Sequence, residues 1–263
     1  MFKLTSLNLN GIRSAASKGV EDWIAANNPD CICVQEVKAQ HADVAGKFDQ
    51  LAGLSGHFHF AQKKGYSGVG VYSRREPSDV VMGFGSAEFD AEGRYLEARF
   101  DTPQRRLSII SAYFPSGSSG EERQQAKFRF LAEFEPHLAR LRLERDFVLC
   151  GDVNIAHKQQ DLKNWRSNQK NSGFLPEERA WMTRLLDHHG VVDVYRQLQP
   201  DATDAAYTWW SNRGQAWANN VGWRLDYQIA TPGVAGLARN TGIYKEARFS
   251  DHAPLTMEYD LQL

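Results

Sequence analysis

Short apolar or alternating runs punctuate the chain from end to end, most of them bounded by Asn, Asp, Gly or Pro. They fall at residues 3–9, 30–35, 57–62, 68–73, 95–100, 107–113, 147–150, 223–229 and 255–259. Runs of this length read as strands. Helical patterns separate only some of them. One covers residues 18–26 and stops at Asn28-Pro29. A longer one is expected to start near Ser119, which has capping-box spacing to Glu122. It sets Phe130, Leu131, Phe134, Leu138 and Leu141 on one face, and Pro136 within it predicts a kink or a break. A third opens at Pro176 and ends at Gly190. Strands this dense, only partly alternating with helices, favour two packed sheets flanked by helices over a single parallel sheet. No low-complexity linker or fixed-period repeat divides residues 1–263, so one domain is expected.

Bulk properties narrow the class. A hydrophobic content of 42% with 24% charged residues is that of a folded globular chain. No window approaches the ~20 apolar residues of a membrane span. The opening MFKLTSLNLN reads as a strand rather than a signal peptide. Cys31, Cys33 and Cys150 are odd in number and lie in apolar stretches, which fits buried thiols in the cytoplasm. Formal net charge is −1, so a polyanionic partner has to be met by a local patch. Lys158, Lys163, Arg166 and Lys170, facing the single acid Asp161 in KQQDLKNWRSNQK, form one candidate.

The strand ends are polar in a consistent way. Asn8 and Asn10 close the first run, Glu36 closes CICVQE and Tyr113 closes SIISAY. Asp152 and Asn154 follow the run ending at Cys150, Asp226 sits in GWRLDYQI, and Asp251-His252 precedes the last run. Singly, such residues are turn formers or solvated tips. Together they hold what phosphodiester hydrolysis requires. A hard divalent cation prefers carboxylate and amide oxygens. A carboxylate can serve as general base. A His backed by an acid, an amide and a phenol supply hydrogen-bond donors to the phosphoryl oxygens. HExxH, Gly-x-Ser-x-Gly and Walker motifs do not occur. Spacing alone leaves the metal-dependent phosphoesterase one reading among several.

The motifs SLNLNGIRS, CVQEVKA, GYSGVGVYSR, EGRYLEARF, SAYFPSGS, LCGDVNIAH, DLKNW, NQKNSGFLPEER, YTWWSNRGQAWANNVGWRLDY and FSDHAPL occur in that order. In this the chain resembles the exonuclease III-like AP endonucleases of the endonuclease/exonuclease/phosphatase superfamily, nearly end to end. The resemblance implies a four-layer α/β sandwich with two mixed β-sheets. It implies a Mg2+-dependent enzyme, with Mn2+ as a substitute, that cuts DNA 5′ to abasic sites and trims blocked 3′ ends. Its partner would be double-stranded DNA carrying such lesions, bound by a monomer. Glu36 then corresponds to the principal metal ligand, with Asn8, Asn10 and Asp251 at or beside the metal. Asp152 corresponds to the acid that orients or deprotonates water, Asn154 to the amide beside it, and Tyr113 to a hydroxyl donor. His252 corresponds to the phosphate-binding His and Asp226 to its acid partner. Lys38, Tyr66, Arg94, Asn168 and Asn171 fall where relatives contact the DNA backbone or steady the site. Trp209, Trp223 and Leu225 resemble the pocket for a base-free sugar.

The loop FPSGSSGEER lacks an arginine that some relatives insert into DNA, which leaves Arg213 and Gln215 as the expected wedge. The short N-terminus has no room for the extension of some eukaryotic members and implies a bacterial-type, minimal enzyme. Three other readings stay open: a non-catalytic regulatory homologue binding RNA or protein, a phosphatase specialised for 3′ ends, and a phosphatase acting on a lipid or soluble phosphate. The complete acidic and His set favours a nuclease.

Overall fold

In the computed structural model, which describes residues 1–263, the first third of the chain forms β1 (Phe2–Asn8), α1 (Ile12–Ser17), α2 (Val20–Asn27), β2 (Cys31–Gln35), α3 (His41–Val44), β3 (Gln50–Leu51), β4 (Leu54–His59) and β5 (Val69–Ser73). Then come β6 (Asp79–Met82), α4 (Ala87–Asp90), β7 (Tyr95–Arg99), β8 (Leu107–Tyr113), α5 (Glu121–Glu144), β9 (Asp146–Asp152) and α6 (Pro176–Asp187). The remainder supplies β10 (Val192–Asp193), α7 (Val194–Leu198), β11 (Trp209–Trp210), β12 (Gly222–Trp223), β13 (Asp226–Ala230), α8 (Pro232–Ala235), β14 (Ala238–Ile243) and β15 (Leu255–Tyr259). One seven-stranded sheet runs β14-β15-β1-β2-β5-β4-β3, and a six-stranded sheet runs β10-β13-β9-β8-β7-β6. The central pairs β1/β2 and β8/β9 are parallel and their neighbours antiparallel, so both sheets are mixed.

Strand periodicity explains the layers. In β2, Cys31 and Cys33 join the core between the sheets, while Ile32 and Val34 face the core beneath α1 and α2. In β9, Val148 and Cys150 face the other sheet, and Phe147 and Leu149 face Phe130, Phe134 and Leu138 of α5. Strands buried on both faces read as continuous apolar runs. Each such side chain contributes roughly 1.5–3 kcal/mol by leaving water. The result is helix on sheet on sheet on helix, the expected four-layer sandwich. The three cysteines are free and buried. No helix is long and apolar enough to cross a membrane.

Several boundaries depart from expectation. The helix expected at residues 18–26 is α2, which starts at Val20 because Gly19 (φ 82°) caps it, and a separate helix, α1, precedes it over Ile12–Ser17. α5 starts at Glu121 with Gly120 (φ 124°) as its cap, so the Ser119–Glu122 capping box does not form. Pro136 lies inside α5 and does not break it, because Phe134 and Leu138 anchor the flanking turns in the core. The strand expected at 57–62 is β4, five residues of which pair with β5, where Gly70 leaves room for the Phe58 ring. A Cβ at Gly70 would lie 2.6 Å from that ring. The run at 223–229 splits into β12 and β13, because Arg224 turns inward to Asp161 and Asp193. β9 continues through Asp152 instead of ending at Cys150.

Register brings the polar ends to one rim. Asp152 stands opposite both Tyr113 of β8 and Asp226 of β13. Asn8 pairs with Gln35, the residue before Glu36. Leu255 pairs with Ser6, which carries Asp251-His252 to the same edge.

Candidate active site

The rim closes around a cleft of about 770 Å³. Asn10, Glu36, Lys38, Tyr113, Asp152, Asn154, Asn168, Asn171, Trp209, Trp223, Leu225, Asp251 and His252 line it. Asn8 and Asp226 lie just beneath, fully buried. Asn8 Nδ2 donates to Glu36 Oε1 at 2.9 Å and to Asp152 Oδ2 at 3.0 Å, tying the two sheets together through two carboxylates. Glu36, Lys38, Asn10 and Asn154 all have φ between 45° and 55°. Non-glycine residues in this region are strained and cluster at functional sites.

Electrostatics separate the roles of the three innermost groups. His252 Nδ1 lies 2.8 Å from Asp226 Oδ2, and its Nε2 lies 3.6 Å from Asp152 Oδ2. Burial works against a charged imidazole, but Asp226 and Asp152 outweigh it and push His252 up to about 10. Burial raises Asp152 to about 7, with Asp226 and Glu36 adding to the rise while His252 opposes it. Near neutrality the imidazolium is therefore a donor, and Asp152 is a base close to its titration point. Burial also lifts the Tyr113 hydroxyl well above its ordinary range, and Glu36 adds to that, so it stays a donor.

Glu36, Asp152 and His252 offer ligand atoms within 4.8 Å of one another. This differs from the expected set of Glu36, Asn10 and Asp251. Both Asp251 oxygens already accept hydrogen bonds, from Asn10 Nδ2 at 2.9 Å and Trp209 Nε1 at 3.1 Å. His252 is held as a cation, which suits a metal poorly. The Lys38 ammonium lies 2.7 Å from Glu36 Oε2 and also donates to Asn10 Oδ1. Hard oxygen donors at Glu36 and Asn10 thus already meet one positive charge, and the site fits a cation.

The outer residues divide. Asn168 and Asn171 reach the cleft from the loop before α6, linked to each other at 2.8 Å. Trp209 and Trp223 pack edge-to-face at 6.4 Å and form an apolar wall with Leu225, Leu162 and Phe174. Arg94 is 1% exposed and does not face solvent, which corrects its assignment as a DNA contact. It donates to Tyr113 O at 3.0 Å and Tyr66 Oη at 2.8 Å, and its guanidinium covers the Tyr113 ring at 4.8 Å. It steadies Tyr113. Tyr66, Arg213 and Gln215 lie outside the cleft lining, the last two exposed. The expected basic patch is also smaller. Asp161 is buried against Arg224 and Arg196, Lys163 pairs with Asp204, and Lys170 alone of the four cations reaches the cleft.

Sequence reasoning missed Thr208, whose Oγ1 accepts from the backbone N–H groups of Leu225 and Asp226 at 3.1 Å and fixes both. It also missed Lys127 and Glu178, a fully buried pair behind Asn154. A signal for Lys127 was present, since it falls on the apolar face of α5 one turn before Phe130.

A sequence model described as Endonuclease/Exonuclease/phosphatase family matches residues 5–252. A DNA repair nuclease of Danio rerio is 37% identical over 263 residues, covering 97% of this chain and 81% of that protein. An exodeoxyribonuclease of Bacillus subtilis is 34% identical over 258 residues, covering 97% and 98%. The solved structure of an AP endonuclease from Archaeoglobus fulgidus superposes with a TM-score of 0.88 at 28% identity, over 99% of this chain and all of that one.

Proposed function

The chain belongs to the endonuclease/exonuclease/phosphatase family, and within it we propose a Mg2+-dependent DNA repair enzyme that cuts the backbone 5′ to abasic sites and also trims blocked 3′ ends. Its relatives make it a nuclease hydrolase of DNA repair. The observation that carries the proposal is the chain Asp226–His252–Asp152, joined through Asn8 to Glu36 on the floor of one cleft.

Glu36 would hold the cation, with Asn10 beside it and Asp251 behind Asn10. The cation would supply Lewis-acid stabilisation of charge on the phosphoryl group. Asp152 orients a water in line with the scissile bond and takes its proton. His252, kept positive by Asp226, donates to a phosphoryl oxygen through Nε2. The Tyr113 hydroxyl, with Arg94 against its ring, donates beside it, and Asn154 Nδ2 joins by exchanging its 3.2 Å bond to Asp152 Oδ2 for the phosphoryl oxygen while Phe114 O keeps it in place. Such preorganised donors stabilise the charge that develops in the transition state. Trp209, Trp223 and Leu225 form an apolar wall against which a base-free deoxyribose packs. Extrusion of a nucleotide costs least where no base is stacked, which selects the abasic site. Lys38, Asn168 and Asn171 contact the DNA backbone around it. The exodeoxyribonuclease relative supports the 3′-end activity. Free, buried cysteines support a reducing compartment, the cytoplasm, and we expect a monomer there.

A labelled duplex with one tetrahydrofuran abasic analogue tests this, incubated with Mg2+ or with EDTA. A single metal-dependent cut immediately 5′ to the analogue is expected. Intact duplex in both arms, with 3′-phosphorylated ends also left uncut, would overturn the assignment in favour of a non-catalytic role.

A further inference from the structure

Asn154 sits at φ 55°, where a residue with a Cβ needs support. Its side chain is held by Phe114 O at 3.0 Å and Asp152 Oδ2 at 3.2 Å. Its carbonyl is held by a charge: Lys127 Nζ donates to Asn154 O at 2.7 Å. The same ammonium meets Glu178 Oε1 at 2.7 Å, and neither side chain has any exposed surface. Glu178 reaches in turn to the loop at Gly173, which packs beside the Asn154 segment and lines the same cleft. Its Oε2 accepts from the backbone N–H groups of Gly173 at 2.7 Å and Leu175 at 3.0 Å, and its Oε1 accepts from Gln124 Nε2 at 3.1 Å. Gly173 and Leu175 line the cleft. One buried ion pair therefore fixes the height of Asn154 on one side and the loop on the other.

Desolvation makes a buried ion pair a weak source of stability, and apolar replacements of equal volume often fold as well or better. A pair kept here, bound to cleft backbone at Asn154, Gly173 and Leu175, is placed to position. We propose that Lys127 and Glu178 are positioning residues for phosphodiester cleavage, acting through the Asn154 amide and the loop at Gly173. This rests on the reading that Asn154 faces the scissile phosphate.

Lys127→Met keeps the length and packing of the side chain and removes its donors. Displacement of an aligned group by about 1 Å costs about a hundredfold in rate, so kcat on the abasic duplex is expected to fall about a hundredfold. KM should stay within about threefold, because the contacts at Lys38, Asn168 and Asn171 are untouched. Lys127→Arg, which keeps a donor, should recover part of the loss. Should Lys127→Met not fold, Lys127→Met with Glu178→Gln removes both buried charges and should show the same fall in kcat. Wild-type kcat in either folded variant overturns the proposal. In an Asn154→Ala background, Lys127→Met should add less than about threefold. A full further hundredfold there would mean that Lys127 acts independently of Asn154, and would overturn it too. Failure of the wild type to cut the duplex would be failure of the functional reading instead. The Asn154 side-chain amide signal in a ¹⁵N–¹H spectrum then decides: a shift in Lys127→Met supports the coupling, and an unmoved signal refutes it.

Discussion

At the scale of single residues, Asp152 is pulled in opposite directions. Burial, Asp226 and Glu36 raise it to about 7, and His252 opposes them. The working state pairs an ionised Asp152 with a protonated His252. Activity is therefore lost as pH falls through the range in which Asp152 takes up its proton. It is lost again as pH rises through about 10, where His252 gives its proton up. A bell-shaped kcat/KM profile is expected, its limbs belonging to the Asp152–His252–Asp226 cluster as a whole, and a bound cation moves the acid limb lower. Asp152→Asn should reduce kcat by about 10³-fold and flatten the acid limb, while affinity for abasic DNA by fluorescence anisotropy is retained. Near-normal turnover in that variant would remove Asp152 from the role of base. The sequence marked Asp152 through its place after an apolar run. It gave no sign that Arg94 would be consumed inside the protein, because burial depends on neighbours distant in the chain.

At the scale of elements, the parallel pair β8/β9 positions the chemistry. Tyr113 and Asp152 end adjacent strands in register, and Gly151 lets them approach. A Cβ on Gly151 would stand 2.1 Å from Ala112 O. Neither backbone can move away without breaking the ladder. Gly151→Ala should thus cost about 1–3 kcal/mol of stability and displace Asp152, lowering kcat by about a hundredfold. Chemical denaturation and steady-state assays check this; a fully stable, fully active variant would show that the strands can separate freely. Strands such as β15 and β8 were legible to the residue because one alternates apolar and polar residues (LTMEY) and the other is an apolar run broken only by two serines (LSIISAY). The start of α5 and the break between β12 and β13 were not. The former depends on the backbone freedom of Gly120, the latter on Arg224 finding two buried acids.

For the whole molecule, pH acts on stability through buried groups far from the scissile bond. Burial, followed by Lys158, depresses His157 to about 4. The unfolded chain takes up this proton near pH 6.5, so the contribution of neutral His157 is complete above about 6.5. It is lost as pH falls toward 4. Asp161 is held well below the carboxylate range by Arg224 and Arg196 despite its burial, so its contribution persists through that window and fades only below it. Along the slope of the urea midpoint against pH between 7 and 4.5, neutral His157 should account for a loss of about 2 kcal/mol toward acid after its partial access to solvent is allowed for, while Asp152, raised to about 7 in the folded chain, works in the opposite sense over the same range. His157→Gln should reduce that slope. An identical slope in the variant would assign the acid lability to other groups.

The sequence by itself determined the layers and the chemical inventory. Apolar runs of strand length, helices with one apolar face, and carboxylates, amides and a His at run ends are all local features, written in consecutive residues. Tertiary structure alone decided which of those polar groups meet. Asn8 lies 144 positions from Asp152, and His252 lies 26 from Asp226. Their contact exists because two sheets pack with their rims aligned, and because the parallel β8/β9 and antiparallel β9/β13 registers set Tyr113, Asp152 and Asp226 level with one another. The same packing turned Arg94 and Asp161 inward and set Lys127 behind Asn154. A charge finds its partner through the folded core, and that geometry has no signature in the order of residues along the chain.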